Sequence, residues 1–182
     1  DTVTVDSTIN VLENAYTIAT VGDFSTVPSG ITTVIVKDKD RGGVFNRITS
    51  TTANGGTIFS GTGYSWERQY SGAVNVKWFG AKNDGVFDCT TAFQASVDLG
   101  RTVYIPSGNY VVSATINLTT TANHGQLIYG DGPDAANPGG TSVNKTIIIP
   151  TNAVSICFKI DGTSFANYIQ YAGFENLTVD MI

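Results

Sequence analysis

Short runs of β-branched and aromatic residues, separated by turns rich in Gly and Asn, extend over most of this chain. Residues 32–36 and 44–48 form two such runs, with a mixed-charge turn at 37–41 between them. In residues 64–70 the side chains alternate, so that Tyr64, Trp66, Arg68 and Tyr70 share one face. Runs of this length and period predict β-strands. We interpret the aromatic face as a packed face with the arginine stem over a ring, rather than as a ligand platform.

One segment, residues 88–99, has the spacing of a helix. Its apolar side consists of Cys89, Ala92, Phe93 and Leu99, with Val97 at the edge and Ser96 among them. Asp88 or Thr90 can cap the N-terminus by accepting from free backbone N–H groups. Gly100 suits the left-handed position that follows a helix C-terminus. The sequence therefore predicts a helix of about three turns at 88–99.

Strands are predicted at 74–79 and 110–116, and a series of strands follows the helix at 103–105, 127–129, 147–149 and 177–179. The strands of this series lie about 20 to 30 residues apart, a spacing that suits the coils of a solenoid. The run Ile147, Ile148, Ile149 is apolar without alternation, which is typical of a parallel strand buried on both faces. A β-sandwich, with turns at shorter intervals, is the alternative that the pattern leaves open.

The composition strengthens the all-β prediction and argues against several classes of protein. The chain has 25 Thr, 18 Val and 16 Ile but only 5 Leu, and β-branched residues favour strands over helices. A net charge of −5 disfavours binding to a nucleic-acid backbone. A charged fraction of 14% with a mean hydropathy of +0.04 is atypical of disorder, and no apolar run is long enough to span a membrane. Cys89 and Cys157 are expected to be free thiols.

Residues 74–95 carry a motif of a known fold family. They read V-N-V-K-W-F-G-A-K-N-D-G-V-F-D-C-T-T-A-F-Q-A and resemble the opening signature of the pectate-lyase-like right-handed parallel β-helix family, V-x-W-F-G-A-x-G-D-G-x-x-D-D-T-x-A-x-Q. Residues 105–110, I-P-S-G-N-Y, resemble the family motif that follows the helix. The matching signature residues are Trp78, Phe79, Gly80, Asp84, Gly85 and Asp88. Two positions depart from the pattern, since Asn83 replaces the usual Gly and Cys89 replaces the usual second Asp.

Residues 14–73 resemble the small β-domain that precedes the β-helix in bacteriophage tailspikes. The resemblance rests on Pro28, on the segments 34–36, 42–45 and 54–57, and on the run at 64–70 that leads into the signature. It implies an extended lead-in at 1–13, a small virion-proximal β-domain at 14–73, and the start of a parallel β-helix at 74–182. The helix at 88–99 would cover the open end of the first coil. Because the last strand has no predicted cap, we expect a fragment of a longer protein.

Carboxylates in the coils are the candidates for chemistry, because glycoside hydrolysis needs two carboxyl groups and a lyase needs a base. The candidates are Asp131, Asp161, Glu175 and Asp180. Asp131 and Asp161 each precede Gly, which favours a turn over a catalytic role. His124 has no Cys or His companion at metal-binding spacing, and Asp84 and Asp88 are interpreted as architecture. The sequence therefore assigns no catalytic residue, no cofactor and no metal site to these residues.

The resemblance implies a bacteriophage tailspike or tail fibre, located in the virion and assembled in the host cytoplasm. The leading hypothesis is a homotrimer that links other tail proteins to a β-helix. That β-helix would bind, and degrade on later coils, a capsule or lipopolysaccharide glycan, so this segment is expected to be inactive. A non-enzymatic fibre or adaptor for receptor binding is the alternative. A free extracellular polysaccharide lyase is a third hypothesis, which the domain at 14–73 disfavours. No membrane partner is predicted.

Overall fold

A computed structural model describes residues 16–118, 125–132, 145–151, 154–160 and 172–180. The chain divides into two compact units, Asp1–Tyr70 and Ser71–Ile182. The predicted lead-in at 1–13 lies outside the described residues. None of the helices within those ranges is long and apolar enough to cross a membrane.

The first unit contains one five-stranded sheet. Its strands are β1 (Tyr16–Ile18), β2 (Thr33–Val36), β3 (Gly43–Thr49), β4 (Ile58–Ser60) and β5 (Tyr64–Arg68), and a 3₁₀ helix spans Val21–Thr26. The strand order is β1-β2-β3-β5-β4. The β1 and β2 strands are parallel, and the other neighbours are antiparallel. The strands predicted at 32–36, 44–48 and 64–70 are therefore present.

The aromatic stripe of β5 packs into the core of the first unit, as the sequence predicted. Trp66 is fully buried, and its ring stacks on Phe24 with centroids 5.6 Å apart. Arg68 is also buried, and its guanidinium lies 4.6 Å from the Phe45 ring centroid. The same guanidinium donates to the backbone carbonyls of residues 41, 42 and 56. Burial lowers the pKa of Arg68 to about 10, with the charge of Arg41 adding to the effect. The Arg68 side chain therefore packs in the core and anchors the loops that carry these carbonyls.

The second unit is a parallel β-helix. Its elements are β6 (Val74–Asn75), β7 (Asp84–Asp88), α1 (Thr90–Val97), β8 (Val103–Ile105), β9 (Gly108–Val112), β10 (Ile116–Leu118), β11 (Leu127–Gly130), β12 (Thr146–Pro150), β13 (Phe158–Ile160), β14 (Gly173–Glu175) and β15 (Thr178–Val179). Successive strands pass from one sheet to the next, so that each sheet stacks equivalent strands. The sheets are β6-β8-β11-β14, β7-β9-β12-β15 and β10-β13, and all their pairs are parallel. The predicted all-β class is confirmed, and the second unit is a solenoid rather than a β-sandwich.

The four recurring strands do not all belong to one sheet. The strands at 103–105 and 127–129 lie in one sheet, whereas those at 147–149 and 177–179 fall in the neighbouring sheet. The reason is the corner between β8 and β9, which consists of Pro106 and Ser107 alone. Because two residues suffice for a corner, one coil holds several short strands, and strand spacing alone does not reveal the sheet.

Two predicted strands are also interrupted. The strand predicted at 74–79 is β6 followed by a 3₁₀ helix at Val76–Phe79. The Asn75 side chain accepts from the backbone N–H of Lys77 and so starts this helix, which ends at Gly80 with φ 96°. The strand predicted at 110–116 is divided between β9 and β10 by a bend after Val112. Local side-chain hydrogen bonds and coil corners thus override β-propensity here.

The helix α1 is shorter than the predicted span of 88–99, because Asp88 belongs to β7. Its buried face consists of Ala92, Phe93, Ser96 and Val97. Val97, predicted at the edge, belongs to the core, whereas Leu99, predicted in the stripe, is only partly buried. The difference arises because the helix ends at Val97, so later residues leave the helical spacing. Gly100 does adopt the left-handed conformation, with φ 64°.

Gln94 of α1 covers one edge of β10. Its Oε1 accepts from the backbone N–H of Asn117 at 2.8 Å, and its Nε2 donates to the Asn117 carbonyl at 3.0 Å. The opposite edge of β10 pairs with β13. A side-chain amide therefore supplies the two hydrogen bonds that a neighbouring strand would make, and it protects an exposed strand edge.

The core of the second unit lies inside the coils. Its buried members are Val76, Ala81, Cys89, Ala92, Phe93, Val97, Val103, Ile105, Tyr110, Val112, Ile116, Leu118, Ile128, Ile148 and Cys157. The rings of Phe93 and Tyr110 meet edge to face at 5.6 Å, which joins the helix to the first coil. Cys89 and Cys157 are free thiols, and burial is the main cause that raises the pKa of both, that of Cys157 to about 11.

Candidate functional site

The signature residues form the turn that leads into α1. Asp84 Oδ1 accepts from the backbone N–H groups of Val86 and Phe87 at 2.9 and 2.8 Å. These hydrogen bonds to the ionised form lower the pKa of Asp84. Gly85 has φ 71°, a conformation that residues with a Cβ rarely adopt. The register of β7 against β9 shifts between Asp84 and Asp88, so this segment is an irregular strand as well as a turn.

Asp88 connects the N-terminus of α1 to the bend after β9. Its Oδ1 accepts from the backbone N–H and the hydroxyl of Thr90 at 3.0 and 2.6 Å, and its Oδ2 accepts from the Ser113 hydroxyl. The Thr90 hydroxyl in turn accepts from the backbone N–H of Ser113 at 2.8 Å. The hydrogen bonds from Ser113 and Thr90 lower the pKa of Asp88. This arrangement holds a helix end in place and supports the architectural interpretation.

The remaining signature residues surround the same turn. Gly80 ends the 3₁₀ helix, and Phe79 is a partly buried residue that packs against the core. Trp78 lies in the same 3₁₀ helix and is likewise partly buried. None of these three residues carries an ionisable group, so their place in the site is structural.

An outward-facing row of polar and aromatic side chains crosses the first parallel sheet. In the register of this sheet, Asn75 pairs with Tyr104, Tyr104 with Tyr129, and Tyr129 with Glu175. The two tyrosine rings lie 5.3 Å apart with an interplanar angle of 31°. Tyr104 and Tyr129 are half-buried, between the inward-facing neighbours of their strands, and Glu175 is exposed. We call these four residues the tyrosine row.

The sequence analysis did not single out the tyrosine row. The available signal was the recurrence of a tyrosine as the outward residue of V-Y-I at 103–105 and L-I-Y at 127–129. In a parallel β-helix, equivalent positions of successive coils stack directly, so recurring outward residues form a continuous surface. Recognising the signal requires knowing which strands share a sheet.

Asp131 stands beside the tyrosine row and binds to the preceding coil. Its Oδ1 accepts from the Tyr104 hydroxyl at 2.6 Å, and its Oδ2 accepts from the backbone N–H of Ser107 at 2.7 Å. Its own backbone N–H donates to the Thr146 hydroxyl at 3.0 Å. Burial, together with the bond to Asp131, raises the pKa of Tyr104 to about 12, so the phenol stays protonated as a donor. Asp131 therefore ties two coils together.

The other candidate residues are dispersed. Glu175 pairs with Tyr129 in the register of the sheet, whereas the carboxylate of Asp131 binds the preceding coil at Tyr104 and Ser107. Asp180 is exposed, and its backbone N–H donates to the Ile148 carbonyl at 2.9 Å. Asp161 and His124 lie outside the described residues. Within the described ranges no cluster of three or more His, Cys, Asp or Glu could hold a metal ion.

The tyrosine row offers groups that suit hydroxylated ligands. Within the row, Tyr129 carries a phenol and Glu175 carries an exposed carboxylate. Asp131, beside the row, accepts on both oxygens and has further lone pairs. Carboxylates accept hydrogen bonds from sugar hydroxyls, and phenols donate or accept. The described geometry provides binding groups. Glycoside hydrolysis needs two carboxyl groups that flank the scissile bond, whereas both oxygens of Asp131 already accept hydrogen bonds from the preceding coil.

Comparisons with known proteins agree with this architecture. The pre-neck appendage protein of Bacillus phage phi29 is 47% identical over 45 residues, which cover 25% of this chain and 5% of that protein. Alginate lyase 7 of Azotobacter vinelandii is 57% identical over 44 residues, 21% of this chain and 5% of that protein. The crystal structure of the enzymatically active domain of tailspike protein 4 from bacteriophage CBA120 aligns with a TM-score of 0.60 at 18% identity. That alignment covers 85% of this chain and 21% of the tailspike chain.

The comparisons differ in how much of each protein they cover. This chain spans about a twentieth of the two curated relatives and about a fifth of the tailspike domain. The structural match shows a shared fold with tailspikes, which confirms the predicted resemblance at that level. Residues 73–181 match the family described as rhamnogalacturonase A/epimerase, pectate lyase-like, and this match covers both the signature turn and the tyrosine row. The chain therefore belongs to the pectate lyase-like rhamnogalacturonase A/epimerase family.

Proposed function

We propose that this chain is part of a bacteriophage tail protein of the tailspike type, in which the parallel β-helix binds a polysaccharide on the host surface. The observation that carries the proposal is that one chain contains a small five-stranded sheet unit and a parallel β-helix, in this order. A tailspike domain aligns with 85% of the chain, and a phage appendage protein is a relative over 45 residues. Homotrimerisation, attachment to other tail proteins and a virion location belong to the same proposal.

Polysaccharide binding is assigned to the tyrosine row. Its phenols and its carboxylate are aligned along the coil axis, and consecutive strands of a sheet stand about 4.8 Å apart. A saccharide chain lying along the row would meet a hydrogen-bonding group at each coil. The net charge of −5 disfavours a nucleic acid as the ligand.

Cleavage of the polysaccharide is not assigned to the residues described here. Both oxygens of Asp131 are engaged by the preceding coil, and Glu175 belongs to the following coil, where it pairs with Tyr129. We infer that these 182 residues bind glycan without hydrolysis or β-elimination. Release of reducing ends or of unsaturated uronates by the purified chain would contradict this inference.

Two alternative functions are each favoured by a specific observation. A non-enzymatic fibre or adaptor is favoured by the structural use of Asp131, because it leaves no carboxylate pair in the described coils. A free polysaccharide-modifying enzyme is favoured by the short relationship to alginate lyase 7. Association with virions would separate the tailspike and the fibre from the free enzyme. Catalysis by the whole protein would separate an enzymatic tailspike from a non-enzymatic fibre.

The binding proposal is tested with capsule and lipopolysaccharide glycans from the host, titrated calorimetrically into the purified chain. Glu175→Gln removes the exposed carboxylate, and we expect affinity to fall about tenfold, which corresponds to about 1.4 kcal/mol. Glu67→Gln, an exposed acidic residue of the first unit, is the matched control and should leave affinity unchanged. Equal affinity of Glu175→Gln and the unaltered chain would remove the tyrosine row from the proposal.

A further inference from the structure

The first unit carries an open depression of about 720 Å³ that the proposed function does not use. Its lining residues are Thr32, Arg47, Ile48, Thr49, Gly63 and Tyr64. All of them belong to the first unit, just before β2, at the end of β3 and around the start of β5. The volume falls within the range of about 300–1,000 Å³ that is usual for small-molecule sites.

Arg47 is the charged group of this depression, and its guanidinium is held in place from two sides. The guanidinium carbon lies 3.9 Å from the centroid of the Tyr64 ring. Nη1 donates to the backbone carbonyl of Ser29. Tyr64 is itself buried and supports the stack from below. The conformation of the arginine is therefore fixed before any ligand arrives, which lowers the entropic cost of binding.

The charge of Arg47 is nevertheless available to a ligand. The residue is exposed, and among the described residues no carboxylate pairs with it. Since Nη1 is occupied by a carbonyl, the edge formed by Nε and Nη2 presents two parallel N–H donors. That edge matches the two oxygens of a carboxylate in a bidentate pair.

The walls of the depression point to a sugar as the carrier of this carboxylate. Thr32 and Thr49 are exposed and add hydroxyl groups, and Ile48 is half-buried and adds an apolar surface. Hydroxyls beside a small apolar surface fit a pyranose ring better than an extended hydrophobic side chain. We propose that this depression binds a carboxylate-bearing sugar residue, with Arg47 as the carboxylate-binding side chain. The proposal concerns the first unit alone, so its failure leaves the tyrosine row unaffected.

The test uses the whole 182-residue chain with ¹⁵N labelling and three probes: sodium glucuronate, methyl glucoside and inorganic phosphate. With glucuronate we expect saturable shifts of the Arg47 Nε–H signal and of the backbone amides of Ile48 and Thr49. Methyl glucoside should shift none of these signals at the same concentration. Absence of saturable shifts with glucuronate would overturn the proposal. Phosphate binding as tight as glucuronate would overturn the sugar assignment, because it would reveal a general anion site.

Two substitutions and a control locate the binding. Arg47→Gln removes the charge, and Arg47→Lys keeps the charge but removes the paired N–H edge. Each should weaken glucuronate binding about tenfold or more. Lys37→Gln removes a cation from an exposed position of the same unit that does not line the depression, and it should bind like the unaltered chain. Retained dispersion of the amide spectrum shows that each variant is folded. Full-strength binding by folded Arg47→Lys would contradict the bidentate geometry.

Discussion

At the scale of single residues, Asp88 contributes most clearly to the architecture of the signature turn. It joins Thr90 at the start of α1 to Ser113 beyond β9. We expect Asp88→Ala to lower the free energy of unfolding by about 1 kcal/mol, because the donors of Thr90 and Ser113 lose their acceptor. Chemical denaturation measures the change, and Asp180→Asn is the control because it alters an exposed carboxylate of the same unit. Equal losses in both variants would contradict the special role of Asp88.

The contribution of Asp88 to stability depends on pH. Hydrogen bonds to the ionised carboxylate lower the pKa of Asp88 in the folded state. Its contribution is therefore complete above the unfolded-state pKa of about 4, and it disappears as the pH falls through the lower folded value. The difference between the denaturation midpoints of the unaltered chain and of Asp88→Asn should shrink as the pH falls below about 4. A constant difference down to the lowest pH at which both fold would rule this out.

Tyr104 has the opposite pH behaviour. Its folded pKa is raised to about 12, above the ordinary value of 10.0, so its contribution is complete below pH 10.0 and is lost as the pH rises toward 12. Spectrophotometric titration of tyrosinate should show late ionisation of Tyr104, and Tyr104→Phe should reduce the amplitude of the late step by one phenol. Loss of an early step in the variant would contradict the bond between Tyr104 and Asp131.

At the scale of elements, the helix α1 protects the β-helix in two ways. Its apolar face packs on the core, and its Gln94 side chain covers one edge of β10. Gln94 makes two hydrogen bonds with the backbone of Asn117 in β10. Gln94→Ala should cost about 0.5–1.5 kcal/mol, because water replaces the side-chain amide at a backbone donor and acceptor. Hydrogen exchange of the Asn117 amide should accelerate while that of Ile128, in the middle of the next coil, changes little. Unchanged exchange at Asn117 would show that the side chain does not close this edge.

The elements also show how far sequence reasoning reaches. The signature turn, the position of α1 and most strands could be predicted, because capping residues, glycine turns and β-branched runs act locally. The sheet to which each strand belongs could not, since it depends on the two-residue corner at Pro106 and Ser107. The tyrosine row was missed for the same reason: Tyr104 and Tyr129 become neighbours only when coils stack.

At the scale of the whole molecule, family membership does not by itself determine function. Relatives of this chain include a phage appendage protein and an alginate lyase, and the chain spans about a twentieth of each. Because functional sites vary on one fold, the proposed virion location rests on the combination of the small sheet unit and the β-helix. The predicted carboxylates illustrate the point, since Asp131 is used to join coils.

The protein composition of purified virions tests the central proposal most directly. Particles from the source bacterium would be purified by density-gradient centrifugation, and their peptides quantified by mass spectrometry across the gradient. We expect peptides from both units to follow the infectious titre and the tail proteins at a constant ratio. Peptides that stay in the particle-free fraction, with none in the infectious band, would contradict the proposal and favour a free polysaccharide-modifying enzyme.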